Sequence, residues 1–159
     1  MKEYIKSPLN YTGGKYKILK YILPCFPKTI GTFVDLFGGG FNVGVNVSAD
    51  KIIYNDHNLF LSQMFKLFQD EGVDIVNKIY SRIKEFDLSE ENIEGYLALR
   101  ENYNKNKDIL DLFILTCYSF NHQIRFNSHH EFNTPFGKNR SAYNKTIEEN
   151  LITAKRMLY

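Results

Sequence analysis

The residues of this chain best suited to bind a ligand lie in Phe33-Val34-Asp35-Leu36-Phe37-Gly38-Gly39-Gly40-Phe41-Asn42-Val43-Gly44. An apolar run ends in an acid, then in three consecutive glycines, then in a segment of helical character. An open α/β sheet presents a nucleotide-like ligand site in this way, at the carboxyl end of a strand. Sixteen residues past Gly40 comes Asp56, at the end of a second apolar run, Ile52-Ile53-Tyr54-Asn55. Glycines let a backbone approach a ligand, and an acid after the next strand can accept hydrogen bonds from a ribose diol. The competing reading of Asp56 is an Asx-turn or helix cap ahead of His57-Asn58.

A second candidate is Asn10-Tyr11-Thr12-Gly13-Gly14-Lys15. Two glycines before a lysine imitate a phosphate loop, but the Walker pattern requires Ser or Thr after the lysine and Tyr16 stands there. Gly13 and Gly14 can let Lys15 and the face of Tyr11 reach a ligand, and a cationic ligand over that ring would gain about 0.5–2 kcal/mol. The alternative is a helix that simply starts after glycines. A third candidate is the segment 122–145, which holds Arg125, Lys138, Arg140 and Lys145 against Glu131 alone, a net charge of +3, whereas 69–108 carries −4. Arg125, Asn127, Asn133, Lys138 and Arg140 can donate to phosphates, and Arg and Asn can also read base edges. Phe126, Phe132 and Phe136 interleave with them and either stack on bases or fix the segment to a core. The local positive charge suits an anionic partner or a solvated loop. His122, His129 and His130 have no cysteine nearby and only Glu131 as a carboxylate neighbour, so no metal site is expected.

The elements that must position these groups can be read from periodicity. Ile18, Leu19, Ile22 and Leu23 share a face, which predicts an amphipathic helix over 14–23 closed by Pro24. A buried strand is expected at 32–37, a short helix at 41–48, a second strand at 51–55 and a helix from Asn58 through Phe68. From Gly72 the pattern turns helical. One helix runs through Val73, Ile75, Val76, Ile79, Ile83 and Phe86, one starts near Ser89 to Asn92 and continues to about Tyr103, and a nearly all-apolar one spans Asp108 to Phe120 as the centre of a small bundle. Residues 123–137 read as an irregular hairpin turning near 128–130, and Ile147, Leu151, Ala154 and Leu158 predict a last helix over 146–158. The fold class expected is α/β with a parallel sheet, yet two strands are too few to stand as a stable sheet. The chain is therefore expected to pair with something or to belong to a longer protein.

Composition supports a packed core, at 43% hydrophobic and 15% aromatic residues, and argues against disorder. No apolar run is long enough to span a bilayer, and Met1-Lys2-Glu3-Tyr4-Ile5-Lys6 lacks a secretory apolar region, so a cytoplasmic location is the default. Cys25 and Cys117, both in apolar surroundings, are expected to be reduced core residues.

Taken in order, Tyr11-Thr12-Gly13-Gly14-Lys15, Asp35-Leu36-Phe37-Gly38-Gly39-Gly40, Asn55-Asp56, Arg125-Phe126-Asn127 and Phe132-Asn133-Thr134-Pro135-Phe136-Gly137 resemble the Dam-type DNA adenine-N6 methyltransferases over nearly the whole chain. The resemblance implies a partial Rossmann-like S-adenosylmethionine-dependent methyltransferase sheet with an inserted helical target-recognition domain and β-hairpin. It implies a cofactor-binding portion over 1–69, a recognition domain over 70–144 with its hairpin at 123–137, and a helix over 145–159 returning to the first portion. Tyr11, Gly13, Gly14 and Lys15 would form the N-terminal S-adenosylmethionine contacts. Asp35, Phe37, Gly38 and Gly40 would form the cofactor loop, and Asp56 would hold the ribose. Arg125 and Asn127 would be among the contacts to double-stranded DNA.

The family's Asp-Pro-Pro-Tyr signature is absent, since Pro8, Pro24, Pro27 and Pro135 are nowhere adjacent. In the family that motif accepts the hydrogens of the adenine amine, localises its lone pair and stacks on the flipped base. No catalytic residue is thus assigned in this chain, and the chain alone is expected not to methylate DNA. The resemblance implies a partner polypeptide carrying Asp-Pro-Pro-Tyr, or a second copy. A non-enzymatic DNA-binding module and a nucleotide-binding protein of unrelated chemistry are the other readings the sequence leaves open.

Overall fold

A computed structural model of the protein describes residues 4–11, 13–72 and 74–155, so the expectations that fall on Thr12, Val73 and Leu158 lie outside the described residues. The described residues form a mixed helix and sheet structure with one small parallel sheet. It divides into two compact units, residues 1–69 with 146–159 and residues 70–145.

The first unit is built on strands β1, Thr32–Asp35, and β2, Lys51–Tyr54. They pair in parallel, with Phe33 opposite Ile52, Val34 opposite Ile53 and Asp35 opposite Tyr54. The β-branched and aromatic residues suit strands, and the alternation sends Phe33, Asp35, Ile52 and Tyr54 to one half-buried face. The opposite face exposes Val34 and Ile53, at 49% and 39%. The strand expected to be buried over 32–37 is therefore shorter and open on one side. Parallel neighbours need a long crossover, and residues 36–50 supply it.

That crossover holds the glycines and, where a helix over 41–48 was expected, only a 3₁₀ turn at Gly44–Asn46. Three valines and two asparagines within the segment disfavour helix, and Phe41 sits at a φ of 62° that stops one from starting. The predicted helix over 14–23 is likewise broken, into a 3₁₀ turn at Tyr16–Ile18, the short helix α1 at Leu19–Ile22, and a second 3₁₀ turn at Leu23–Cys25 that runs through Pro24. No side chain caps its start after the two glycines. Cys25, expected in the core, is exposed at the end of that last turn, whereas Cys117 is buried; both are free. Helix α2, Leu59–Asp70, packs Met64, Phe65 and Phe68 inward. Phe41, Tyr54 and Phe65 close a ring cluster with centroids 4.9–5.4 Å apart, each pair adding about 0.5–1.5 kcal/mol to area burial. Within helix α6, Lys145–Lys155, Leu151 and Ala154 are buried.

The second unit holds helices α3, Asp74–Glu85, α4, Ile93–Asn106, and α5, Ile109–Tyr118. The Asn92 side chain accepts from the N–H groups of Glu94 and Gly95, and Asp108 caps α5 through the N–H of Leu110. Every residue of α5 from Asp111 to Tyr118 is buried, as its apolar run predicts. Asp111 is the exception in character. It is fully buried, with Arg82 Nε 2.8 Å away and the Asn102 amide donating at 2.7 Å. Burial raises its pKa against the opposing pull of these two partners. No helix among the described residues is long and apolar enough to cross a membrane.

Removing one partner of a buried pair leaves an uncompensated charge. Arg82→Ala is expected to lower unfolding free energy by about 3 kcal/mol, and replacing Asp111 by Asn in the same chain should recover part of that loss, as measured by chemical denaturation.

Candidate functional site

The first candidate site grows from the strand ends. Because Asp35 lies opposite Tyr54, the turn that leaves β1 meets the turn that leaves β2. Each locks the other. The N–H of Gly38 donates to the carbonyl of Asn55 at 2.9 Å, and the Asn55 amide donates to the carbonyl of Leu36 at 2.7 Å. The N–H of Gly39 donates to Asp56 Oδ2 at 2.8 Å, and the Tyr54 hydroxyl donates to the carbonyl of Gly39 at 2.8 Å. Gly39 has a φ of +50°, which glycine tolerates without strain. Gly38 is needed for another reason, because a Cβ there would overlap the Tyr54 ring.

Asp56 is thus a structural anchor. Its second oxygen accepts from the N–H of Asn58 at 2.8 Å, closing the Asx-turn that the sequence left open as an alternative. Asp35 is engaged at one oxygen only: Oδ2 accepts from the N–H of Gly44 at 2.9 Å, and Oδ1 has no hydrogen-bond partner among the described residues. Burial raises the Asp35 pKa, opposed by the Gly44 N–H and the Lys15 charge and assisted by Asp56. Tyr54 feels Asp56, Asp35 and Tyr11, and burial above all pushes its hydroxyl pKa up. The ring of Tyr11 lies 3.3 Å from where a Cβ on Gly39 would sit. Tyr11, Lys15, Asp35, Gly38, Gly40 and Asp56 therefore gather around one turn. Gly14 approaches the carbonyl of Tyr11, and Gly13 adopts a φ of +76° at the bend between Tyr11 and Lys15. Phe37 stands 78% exposed. Gly40 is buried, yet its N–H finds no acceptor among the described residues.

Residues that sequence reasoning missed here are Tyr54, Asn42 and Asn46. Asn42 Oδ1 accepts from the N–H of Ser7, and Asn46 exchanges two hydrogen bonds with the backbone of Ile5, so the N-terminal segment is tied beside the glycine turn. Asparagines in a segment read as a helix were the available signal.

The second candidate site is the 123–137 segment, which has little ladder of its own. Its bridges are Phe126 with Phe132 and, at its base, Ser119 with Phe136. One face of α4 and its C-cap Lys107 supply what the ladder lacks. The Asn104 amide donates to the carbonyl of Phe132 and accepts from its N–H, the Tyr96 hydroxyl donates to the carbonyl of Thr134, and Lys107 donates to the carbonyl of His130. Phe132 is buried against Tyr103, and Phe136 lies 5.2 Å from the Tyr96 ring. These two phenylalanines fix the loop to the helices.

The polar candidates divide. Asn127 is consumed by the turn: Oδ1 accepts from the N–H groups of His129 and Glu131, and its amide donates to the Glu131 carboxylate. Arg125 is exposed and donates through Nε and Nη2 to Asn133. Lys138 is exposed, and the Arg140 guanidinium lies 5.0 Å from the centre of the half-exposed Phe120 ring. Phe120 precedes Asn121 and His122, two consecutive residues in the left-handed region.

Residues 11–158 match the family described as D12 class N6 adenine-specific DNA methyltransferase. Modification methylase StsI of Streptococcus sanguinis is 52% identical over 152 residues, covering 95% of this chain and 23% of that protein. Type II methyltransferase M.FokI of Planomicrobium okeanokoites is 50% identical over 94% of this chain and 23% of that protein. Type II methyltransferase M.MjaIII of Methanocaldococcus jannaschii is 31% identical over 97% of this chain and 59% of that protein. The chain spans less than a quarter of the length of the first two.

Two outcomes follow from the first site's geometry. Asp56→Ala removes the acceptor of both the Gly39 and the Asn58 N–H and should cost about 1–2 kcal/mol of stability, with faster amide exchange at Gly39 and Asn58. A carboxyl whose pKa is raised on folding stabilises the native state while protonated, and that contribution fades as pH rises through the raised value. Asp35→Asn should therefore flatten the stability profile just above the ordinary carboxylate range, as read from denaturant midpoints across pH.

Proposed function

The chain belongs to the D12 class N6 adenine-specific DNA methyltransferases, and on that premise we propose that it binds S-adenosylmethionine at the glycine turn and duplex DNA through the 123–137 hairpin. In this reading it is the cofactor-binding and target-recognition portion of an adenine methyltransferase. The sheet is then the partial Rossmann-like sheet of such an enzyme, and residues 70–144 form its inserted recognition domain.

One observation carries the cofactor reading. Around a single turn stand two groups with no partner among the described residues, the Asp35 Oδ1 carboxylate oxygen and the N–H of the buried Gly40. A donor that no described residue matches suits a ligand acceptor. S-adenosylmethionine offers acceptors in its nucleoside and amino-acid parts and positive charge at its sulfonium and ammonium, and the turn offers the matching set. When bound, it supplies an electrophilic methyl on sulfur. The chain's own residues do the rest of the holding. Asp56 keeps Gly39 and Gly40 presented, Tyr54 fixes the Gly39 carbonyl, Asp35 provides the counter-charge, and Tyr11 and Lys15 border the turn.

The DNA reading rests on Arg125, Lys138 and Arg140, exposed cations on a segment pinned by α4. Rigid placement favours discrimination, because a fixed donor array accepts fewer sequences than a mobile one. Phosphate neutralisation by these cations would make binding fall with salt.

The methyl acceptor needs groups to take its amine hydrogens, and no Asp-Pro-Pro-Tyr occurs among the 159 residues. A catalytic part carrying that motif, on a longer form of this chain or on a partner polypeptide, is what this reading requires. The exposed cross-strand pair Val34 and Ile53 supports it, since parallel sheets are ordinarily covered on both faces.

Calorimetry with the chain is expected to detect S-adenosylmethionine binding, weakened at least tenfold by Asp35→Ala, and methyl transfer to DNA is expected only after a polypeptide bearing Asp-Pro-Pro-Tyr is added. Binding of ATP or NAD without S-adenosylmethionine, or methylation by the isolated chain, would overturn the reading.

A further inference from the structure

Arg125 and Asn133 face each other across the hairpin and are joined three times. The N–H of Asn133 donates to the carbonyl of Arg125 at 3.0 Å. Arg125 Nε donates to Asn133 Oδ1 at 2.9 Å, and Nη2 donates to the Asn133 carbonyl at 3.1 Å. A guanidinium has five N–H donors in one plane, and Nε with the neighbouring Nη2 hydrogen forms one edge of it. Asn133 occupies that whole edge. Three donors remain, and two of them, one on Nη1 and one on Nη2, project in parallel from the far end of the plane. This pair matches two acceptors side by side, whether on a base edge or on a phosphate.

The arrangement also orients Asn133. With Oδ1 receiving an N–H, its amide nitrogen must point the other way, and each of its two carbonyl oxygens is engaged by Arg125. An arginine side chain ordinarily gives up considerable rotamer freedom to make a bidentate contact. Here much of that freedom is already removed before any partner arrives. The buttress is itself held, because Asn133 lies between Phe132, clamped by Asn104, and Thr134, whose carbonyl takes the Tyr96 hydroxyl.

We propose that Asn133 is a positioning residue that holds the Arg125 guanidinium with its Nη1/Nη2 end free to grip paired acceptors of duplex DNA, rather than a DNA contact in its own right. This rests on the reading of the hairpin as a DNA-binding element, and the two can fail separately.

The test is a double-mutant cycle on duplex binding by the whole chain, using fluorescence anisotropy on a randomised duplex pool and on the sequences it enriches. Arg125→Ala is expected to weaken binding to the enriched duplex roughly ten- to a hundredfold, and Asn133→Ala about three- to tenfold. In the Arg125→Ala background, Asn133→Ala should have no further effect. Multiplying effects would show that Asn133 touches DNA itself and overturn the proposal. Unchanged binding in Arg125→Ala would remove the DNA reading of the hairpin, and the positioning role with it. A lost base preference in both single variants would place the grip on a base edge, and a uniform loss across the pool would place it on phosphate; either supports the proposal.

The Arg125 Nε–H resonance gives a readout independent of DNA and of folding. It should be sharp and exchange-protected in the native chain, retained in Asn133→Asp, which keeps the oxygen acceptor, and lost in Asn133→Ala while the backbone spectrum stays native. A protected Nε–H in Asn133→Ala would overturn the buttress.

Discussion

Parallel pairing of β1 with β2, in the register that sets Asp35 opposite Tyr54, is the constraint on which the first unit turns. It brings two chain reversals to the same sheet end, and each then satisfies the backbone of the other. Asp56 and Asn55 serve the glycine turn, and Tyr54 takes its carbonyl. A shift of β2 by one residue would send Tyr54 to the outer face and put Ile53 beneath the turn, where its side chain can neither donate nor accept. The ring cluster of Phe41, Tyr54 and Phe65 resists that slip, since it needs Tyr54 on the inner face. A small sheet holds its register here through hydrogen bonds beyond its own ladder.

The second unit solves a related problem by other means. The hairpin has too few backbone pairings to hold its shape, and an irregular loop must find partners for its buried polar groups. Tyr96 and Asn104 on α4, together with Lys107 at its end, provide them, and the Tyr103 ring packs against Phe132. The cationic side chains are thereby left at the surface while the aromatic ones are packed. The buried Asp111 with Arg82 and Asn102 ties α3, α4 and α5 together. Such a network specifies one arrangement of helices better than an all-apolar contact would, because its geometry has few alternatives.

Several features were plain in the linear order of residues. The apolar run of α5 and the Asn92 start of α4 follow from local chemistry, and so do the two strands. The short helix expected over 41–48 did not form, because the N–H of Gly44 is drawn to Asp35 and Phe41 takes a left-handed backbone. Apolar spacing alone carries no information about either effect. Cys25 was misplaced for a similar reason: its neighbours are apolar, but the turn through Pro24 faces it to solvent.

The sequence by itself determined the residue types of the glycine turn and of the basic hairpin, and the order of motifs that marks the family, because these depend on composition and spacing. The tertiary structure decided the division of labour among them. Asp35 and Asp56 look alike as acids after strands, yet the register engages both oxygens of Asp56 and, among the described residues, only one of Asp35. Asn127 and Asn133 look alike beside Arg125 and Phe132, yet one closes the loop on itself and the other clasps Arg125. Which oxygen meets which N–H is a matter of distances in three dimensions between residues far apart in sequence, and identical side chains acquire different roles only there.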